Sequence, residues 1–396
     1  MLTPTYMLLV FVAALTVSRS LVAWLDLDFS LVARGFVFIT LACWLVSSTR
    51  QSLQPQQAGA ALSSSEQLRL KSLATRILLV TMLIYPALLN LLLSISEINI
   101  FVFDYLVALP AILLLVPRYV RFAETRMPQP DDAYVRLGEV LTGKRPWVLS
   151  EHRQFLLMWA VKIFFTPIMY SALILSAEQL LLSGWPVNPL AMIAWLFFFG
   201  LAFDLMIATG GYLFATRLLD NEVRSTDPTW LGWIACIICY PPFLTIFQSI
   251  RAQTDDILWH HWLSPDDLLY WIWAAIITLT WLLYWLSTVA FGLRFSNLSW
   301  RGLIDCGPYR YTKHPAYLAK NLYWWLHTVP LVGVADNDDL IRNLLGLGFV
   351  SLVYYLRAKT EERHLMAFPE YAEYATRIER DGLFARMGRW CRLKPA

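Results

Sequence analysis

The sequence predicts an all-α protein: a polytopic bundle of about ten transmembrane helices with an amphipathic cytoplasmic helix near the C-terminus. Hydrophobic residues make up 58% of the 396 positions and charged residues only 15%, and the mean hydropathy is +0.51. Soluble domains carry about 25% charged residues, because their surfaces must be solvated. The apolar positions also form long runs, of the roughly 20 residues that a helix needs to cross a bilayer core.

Charged or turn-forming residues separate the predicted spans. Arg19 and Arg34 interrupt the first two runs, and Pro315 and Pro330 bracket the short ninth run. The predicted spans are approximately 6–25, 29–46, 75–94, 100–116, 155–182, 190–214, 229–250, 268–291, 317–334 and 340–356.

The links between these spans alternate in charge, which predicts their orientation. Lys and Arg concentrate in the links 47–74, 118–153, 215–228 and 292–314, and in the tail from Arg357 onward. The alternate links are acidic or uncharged, as at Asp336, Asp338 and Asp339. Basic links remain in the cytoplasm under the positive-inside rule. We therefore expect both termini on the cytoplasmic side, in a bacterial inner membrane or an equivalent membrane.

The tail has apolar and aromatic residues at helical spacing. Leu365, Phe368, Tyr371, Tyr374 and Ile378 recur every three or four positions, with Glu, Arg and Asp between them. This period predicts a helix with one apolar face. Such a helix either lies on the membrane surface or folds back against the bundle.

The segment GPYRYTKHPAY, residues 307–317, concentrates chemically useful side chains at the start of the ninth span. Pro315 suits the first turn of a helix, where its missing N–H costs nothing, and it favours extended backbone at the preceding residue. His314 is therefore expected at the helix N-cap. The first-turn N–H groups favour an anionic ligand group. The rings of Tyr309 and Tyr317 can cover a cation.

A second cluster ends the last span, in the sequence RAKTEERHL. Arg357 and Glu361 are four residues apart and therefore share one side of a helix. Glu362 follows directly. A helical hairpin separates this cluster from the segment 307–317, so both are expected at the same cytoplasmic face. A carboxylate there can hold the hydroxyl groups or the ammonium of a ligand, while Arg357 orients it.

The pairing of GPYRYxxHPxY with a later EExxL…FPEYxEY closely resembles the isoprenylcysteine carboxyl methyltransferase family and its phospholipid and amine methyltransferase relatives. The resemblance covers roughly residues 293–386. It implies that S-adenosylmethionine is bound by Gly307, Pro308, Tyr309, His314, Pro315, Tyr317, Glu361 and Glu362. It also implies catalytic roles for Arg357 and Glu361. Lys313 stands where the family commonly has arginine, which keeps the charge but loses the bidentate fork.

The implied activity is methyl transfer to a lipophilic acceptor embedded in the membrane. A carboxylate is the favoured acceptor, because it is deprotonated at neutral pH and needs no general base. An amine acceptor, such as that of a phospholipid, would need a base and is the open alternative. We expect N-terminal membrane helices in 1–117, a cytoplasmic loop in 118–154 and central membrane helices in 155–265. Residues 266–396 are expected to form the methyltransferase-like membrane domain and its tail.

Two other functions are open from the sequence. Membrane steroid and sterol reductases carry a related RYxRHPxY element and use NADPH, but they commonly continue into a Gly-Glu pair, where this chain has YLAKNLYWW. A transporter or binding protein with a degenerate enzyme domain is the other alternative.

Asp204 is the best argument for the transporter, because a charge inside an apolar span is costly and by default functional. The alternative interpretation of Asp204 is a hydrogen bond between helices. His260 and His261 are interpreted as part of an interfacial loop. We expect neither a metal site nor a nucleic-acid partner.

Overall fold

The architecture is almost entirely helical. The computed structural model describes residues 2–52, 62–94, 98–254 and 258–392. The helices are α1 (Pro4–Leu25), α2 (Phe29–Ser52), α3 (Ser65–Leu93), α4 (Asn99–Arg126), α5 (Ala133–Leu141), α6 (Leu149–Leu182), α7 (Pro189–Leu213), α8 (Trp230–Ile237), α9 (Leu244–Arg251), α10 (Trp259–Trp262), α11 (Leu268–Phe291), α12 (Pro315–Thr328), α13 (Asn337–Leu365), α14 (Pro369–Asp381) and α15 (Leu383–Arg392). The predicted all-α fold class is confirmed.

Short non-α elements connect some of these helices. Two-residue strands β1 (Ser225–Thr226) and β2 (Ser299–Trp300) pair antiparallel, with Ser225 opposite Trp300. Among the described residues, 3₁₀ turns span Arg217–Leu219, Gly292–Arg294 and Gly307–Arg310.

Eight helices within the described residues are long and apolar enough to cross a membrane: α1, α2, α3, α4, α6, α7, α11 and α13. They correspond to eight of the predicted spans. The predicted seventh span, 229–250, instead forms α8 and α9, with Pro241 and Pro242 between them. A proline lacks the N–H and its ring clashes with the preceding turn. Two consecutive prolines interrupt the helix here, whereas single prolines such as Pro86 and Pro167 lie inside the continuous helices α3 and α6. The predicted ninth span forms α12, which has 14 residues.

The chain divides into two compact units, each built from separate stretches. The first comprises Met1–Leu181, Ala208–Pro228 and Leu293–Arg301. The second comprises Leu182–Ile207, Thr229–Gly292 and Gly302–Ala396. The residues of the segment 307–317 and of the Arg357–Glu362 cluster all belong to the second unit.

A buried ion-pair network stabilises the first unit. Lys71 on α3 donates to Glu124 on α4 at 2.7 Å and lies 3.1 Å from Asp132, the N-cap of α5. Glu124 also accepts from the backbone N–H and the hydroxyl of Ser63, at 2.9 and 2.6 Å. A buried charge is tolerated when it is paired and hydrogen-bonded, so this network fixes three helix ends together.

Close helix packing in the second unit fixes the elements that carry the site. A Cβ on Gly200 of α7 would lie 2.1 Å from the indole ring of Trp285 on α11, so only glycine fits there. α11 packs along α12, and α13 packs against α8, α9 and α12. Buried Phe247 and Val350 contribute to the core between α9 and α13. The broken helix α8–α9 therefore supports the side of α13.

The apolar face of the tail is buried. Leu365, Tyr371, Tyr374 and Ile378 are all buried, while the Glu and Arg positions between them are exposed. α14 is therefore folded back against the second unit, which is one of the two arrangements that its period predicts.

Candidate active site

The GPY turn, Gly307–Arg310, requires glycine at its first position. Gly307 has φ of +57°, in the left-handed region that favours glycine, and a Cβ there would lie 3.4 Å from the Cβ of Ala290. Tyr309 is buried, and its ring meets Phe291 edge-on with centroids 5.2 Å apart. The turn is thus seated on the end of α11, with its backbone held in a fixed direction.

His314 lies at the N-cap of α12, and Pro315 follows at the first helical position, both as predicted. No side chain caps the first turn. The His314 ring stacks on Tyr317 with centroids 5.8 Å apart. Its Nε2 atom is buried without a hydrogen-bond partner among the described residues, and Glu362 Oε2 lies 3.9 Å away. The start of α12 therefore offers both unused backbone donors and an unused ring nitrogen.

Tyr317 joins α12 to α13. Its hydroxyl donates to Glu361 Oε2 at 2.8 Å. The guanidinium carbon of Arg357 lies 5.3 Å from the centroid of the Tyr317 ring and 5.8 Å from that of Tyr240. The Tyr317 and Tyr354 rings stack at 6.3 Å. Arg357 and Glu361, predicted to share one side of a helix, both contact Tyr317.

Glu362 faces a different set of groups. The ammonium of Lys313 donates to Glu362 and, at 2.7 Å, to Glu379 on α14. Lys359 contributes a further contact to Glu362 at 3.3 Å. Burial on its own would lower the pKa of Lys313, but these two hydrogen bonds outweigh burial and raise that pKa above its ordinary value. Lys313 remains cationic at neutral pH and links α14 to the end of α13.

A tyrosine of α14 locks the GPY turn. The hydroxyl of Tyr374 donates to the backbone carbonyls of Tyr309 at 2.8 Å and Thr312 at 3.3 Å. The backbone N–H of Leu383 donates to the carbonyl of Tyr311 at 2.7 Å. The tail therefore positions the backbone on both sides of Tyr311.

Sequence reasoning missed three of these groups. It placed Tyr374 on an apolar face, although its hydroxyl holds the turn. It gave no role to Tyr240, which lies between α8 and α9 and faces the guanidinium of Arg357. It noted Lys313 only as a departure from a motif. The helical spacing of Tyr371 and Tyr374 was the available signal, because it placed both residues on the buried face.

The described residues include no group of three or more His, Cys, Asp or Glu that can hold a metal ion. The arrangement instead combines aromatic rings, two carboxylates and cationic side chains around the start of one helix and the end of the next. Such a site can bind a polar, partly cationic ligand and orient it without acid–base chemistry.

The comparisons agree with the motif resemblance. The model of the isoprenylcysteine carboxyl methyltransferase family matches residues 268–367. This stretch runs from the start of α11 to just past the end of α13, and it contains the GPY turn, α12 and the Arg357–Glu362 cluster. No curated protein and no solved structure matches the chain significantly. Residues 268–367, about a quarter of the chain, are therefore similar to the isoprenylcysteine carboxyl methyltransferase family.

Proposed function

We propose that this protein is an integral membrane methyltransferase that transfers a methyl group from S-adenosylmethionine to a lipophilic acceptor in the membrane, with a carboxylate as the favoured acceptor. The observation that carries the proposal is the contact of Tyr317 with both Glu361 and Arg357, within the segment that matches the family. This contact joins the two sequence clusters into one site.

The cofactor fits the groups that are present. The unpaired N–H groups at the start of α12 and the buried Nε2 of His314 suit the carboxylate of an amino-acid ligand. The Tyr309 and Tyr317 rings suit a cation. Glu361 and Glu362 can accept hydrogen bonds from hydroxyl or ammonium groups. The backbone at Gly307 and Pro308, with Pro315 behind it, completes the proposed cofactor-binding set.

S-adenosylmethionine supplies a methyl group on a cationic sulfonium. The protein then has to exclude water, to bind the cofactor and the acceptor, and to align the methyl group with the acceptor atom. Alignment is the main source of acceleration in such a displacement. Arg357 is the proposed catalytic residue that orients the acceptor. Glu361 is the proposed catalytic residue that binds the cofactor. A carboxylate acceptor fits this site, because no described group near Tyr317 is needed to remove a proton from it.

The division of the chain follows from this assignment. Residues 266–396 are the proposed catalytic membrane domain, after N-terminal membrane helices in 1–117, a cytoplasmic loop in 118–154 and central membrane helices in 155–265. Basic links on one side support a cytoplasmic position for the site and for both termini. That side is also where S-adenosylmethionine is available.

Calorimetric titration of detergent-purified protein tests the cofactor. We expect S-adenosylhomocysteine to bind and NADPH not to bind. His314→Ala should weaken S-adenosylhomocysteine binding by about tenfold, the effect of losing one charge-assisted hydrogen bond. The matched control is His260→Ala, at an exposed histidine outside the site. Binding of NADPH without S-adenosylhomocysteine would move the protein to the reductase class.

A further inference from the structure

The last described helix, α15, carries its apolar and its basic residues on different faces. With successive residues about 100° apart, its large apolar residues fall within about one third of the circumference: Leu383, Phe384, Met387 and Trp390. Arg386 and Arg389 lie outside this arc, and the helix sequence LFARMGRWCR contains no acidic residue. This division of residues is typical of a helix that lies in the interface of a membrane.

The apolar face of α15 is exposed. Phe384 is 59% exposed and Met387 is 54% exposed. Such exposure is ordinary on a helix that crosses a bilayer, because lipid covers the side chains there. α15 has only 10 residues and is not among the candidate membrane spans, so it does not cross the bilayer. An exposed apolar face outside the spans marks an interaction surface.

The junction between α14 and α15 places this surface at the membrane boundary. The N–H of Leu383 donates to the carbonyl of Tyr311 at 2.7 Å. A Cβ on Gly382 would lie 2.8 Å from the same carbonyl and 2.4 Å from that of Ile378, so only glycine fits. Tyr311 follows the GPY turn, which is seated on the end of the membrane helix α11. α15 therefore starts at the level where α11 ends.

The arginines of α15 fix the direction of the helix and keep donors for a further group. Arg386 Nε donates to the carbonyl of Asp381 at 2.8 Å, and Arg389 Nη1 donates to that of Arg380 at 2.6 Å. These bonds to the end of α14 use one N–H of each guanidinium, which has five. Both side chains are exposed. Guanidinium groups at a membrane surface bind the phosphates of anionic lipids.

A lipid surface fits α15 better than a second copy of this chain does. Two copies of the helix would bring basic faces together with no acidic residue to pair with them, which is unfavourable. A leaflet with anionic head groups offers acyl chains to the apolar face and phosphates to the arginines at one depth. Because α14 already holds α15 at the membrane boundary, a helix of 10 residues can dock without a large affinity of its own.

We propose that α15 docks on the lipid leaflet next to the candidate site and binds anionic phospholipid head groups through Arg386 and Arg389. Docking holds Leu383 in place, and Leu383 in turn holds the carbonyl of Tyr311 within the segment 307–317. Anionic lipid therefore stabilises the conformation of that segment. Only this last consequence rests on the proposed function, because it makes cofactor binding depend on the lipid.

Quenching by lipid in nanodiscs tests the docking without any cofactor. A Met387→Cys variant carries an environment-sensitive fluorophore, in nanodiscs of phosphatidylcholine alone or of equal parts phosphatidylcholine and phosphatidylglycerol. Both lipid mixtures include a phosphatidylcholine with a nitroxide on its acyl chain, which quenches a fluorophore that it contacts. We expect severalfold stronger quenching in the mixed nanodiscs. Arg386→Gln with Arg389→Gln should remove this difference, and Phe384→Ser should lower quenching in both lipids.

The control for charge is Arg69→Gln with Arg121→Gln, two exposed arginines of the other unit. A label at Thr376→Cys, exposed on α14, should be quenched equally in the two lipids, and the labelled parent chain gives the background from its native cysteines. Equal quenching at Met387→Cys in the two lipids would overturn the inference. Cross-linking of Met387→Cys between two copies, in place of quenching, would assign the apolar face to a second copy and overturn it as well.

Calorimetric titration of S-adenosylhomocysteine into the same nanodiscs tests the coupling to the segment 307–317. We expect severalfold tighter binding in the mixed nanodiscs, and no such difference in the double arginine variant of α15. Equal affinity in the two lipids, with the lipid-dependent quenching retained, would overturn the coupling. Absence of binding in both lipids, with that quenching retained, would sink the proposed methyl transfer and leave the docking of α15 standing.

Discussion

At the scale of single residues, Glu361 and Glu362 are neighbours in the chain with different partners. Glu361 accepts from Tyr317, beside Arg357. Glu362 accepts from Lys313, which also binds the tail. Successive residues of a helix point about 100° apart, so only one of the two can face α12 at the level of Tyr317. Glu361 is accordingly the stronger candidate for the cofactor, and Glu362 combines a structural role with its place beside His314.

Glu361→Gln and Arg357→Lys test this division of labour. Arg357→Ala is a poorer choice, because Arg357 is buried and its removal leaves a cavity. If the pair aligns cofactor and acceptor, each variant should lower methyl transfer by about a hundredfold, the cost of roughly 1 Å of misalignment. Glu361→Gln should also weaken S-adenosylhomocysteine binding, whereas Arg357→Lys should mainly lower turnover.

The measurement is transfer of label from S-adenosylmethionine into membrane extract, together with a melting curve for each variant. Glu370→Gln, at an exposed position of α14, is the charge-matched control. Near-normal turnover in both test variants, with a lowered melting temperature, would show that the cluster is structural.

At the scale of elements, α14 positions the candidate site but contributes no side chain to the proposed cofactor-binding set. Its first turns bury Tyr371 and Tyr374, and the Tyr374 hydroxyl holds the carbonyl of Tyr309. Lys313 ties its outer face to Glu362 through Glu379. The helix thus fixes the GPY turn relative to the end of α13, the two places where the proposed cofactor binds.

Tyr374→Phe tests this coupling. The variant keeps the ring but leaves the buried carbonyl of Tyr309 without its donor, at a cost of about 1 kcal/mol. S-adenosylhomocysteine affinity should fall severalfold, with a modest decrease in melting temperature. Thr376→Ala is the control, because Thr376 is exposed on the same helix and donates only to the carbonyl of Ala372. Unchanged affinity in Tyr374→Phe would mean that the turn holds its shape without α14.

At the scale of the whole molecule, orientation in the membrane decides which side the site faces. α13 begins in an acidic link, where Asp336 caps the helix by accepting from the N–H groups of Asp338 and Asp339. It ends in the basic sequence that carries Arg357 and Arg363. This asymmetry predicts an external start and a cytoplasmic end for α13.

Thiol labelling of intact cells tests the orientation. A cysteine at Asn337, which is exposed at the start of α13, should react with an impermeant reagent. A cysteine at the exposed Glu370 should react only after permeabilisation. The parent chain gives the background from its five native cysteines. The opposite pattern would reverse the topology of the catalytic hairpin and place the site away from its proposed cofactor.

Much of this protein follows from local properties of the sequence. Apolar runs without charge specify membrane helices because the bilayer offers no other partner for the backbone. Pro315 specifies the start of α12 at His314 through the geometry of a single residue. The spacing of Arg357 and Glu361 places them on one helix face whatever surrounds them. The motif resemblance to a methyltransferase family, confirmed over 268–367, rests on such local patterns as well.

Other features were decided by packing between residues that are distant in the chain. The Tyr284 hydroxyl donates to Asp204 Oδ2 at 2.8 Å, and the ammonium of Lys320 lies 4.4 Å from the centroid of the Tyr284 ring. These residues lie on three helices, and nothing in their local sequences relates them. Their cluster exists because α7 and α11 approach closely at Gly200 and α12 packs along α11. Tyr374 is a further example. The helical spacing of the tail predicts that Tyr374 lies on a buried face, but it does not predict that the hydroxyl donates to the carbonyl of Tyr309. Local propensity sets each helix and its faces, and only the fit of side chains between helices sets which faces meet.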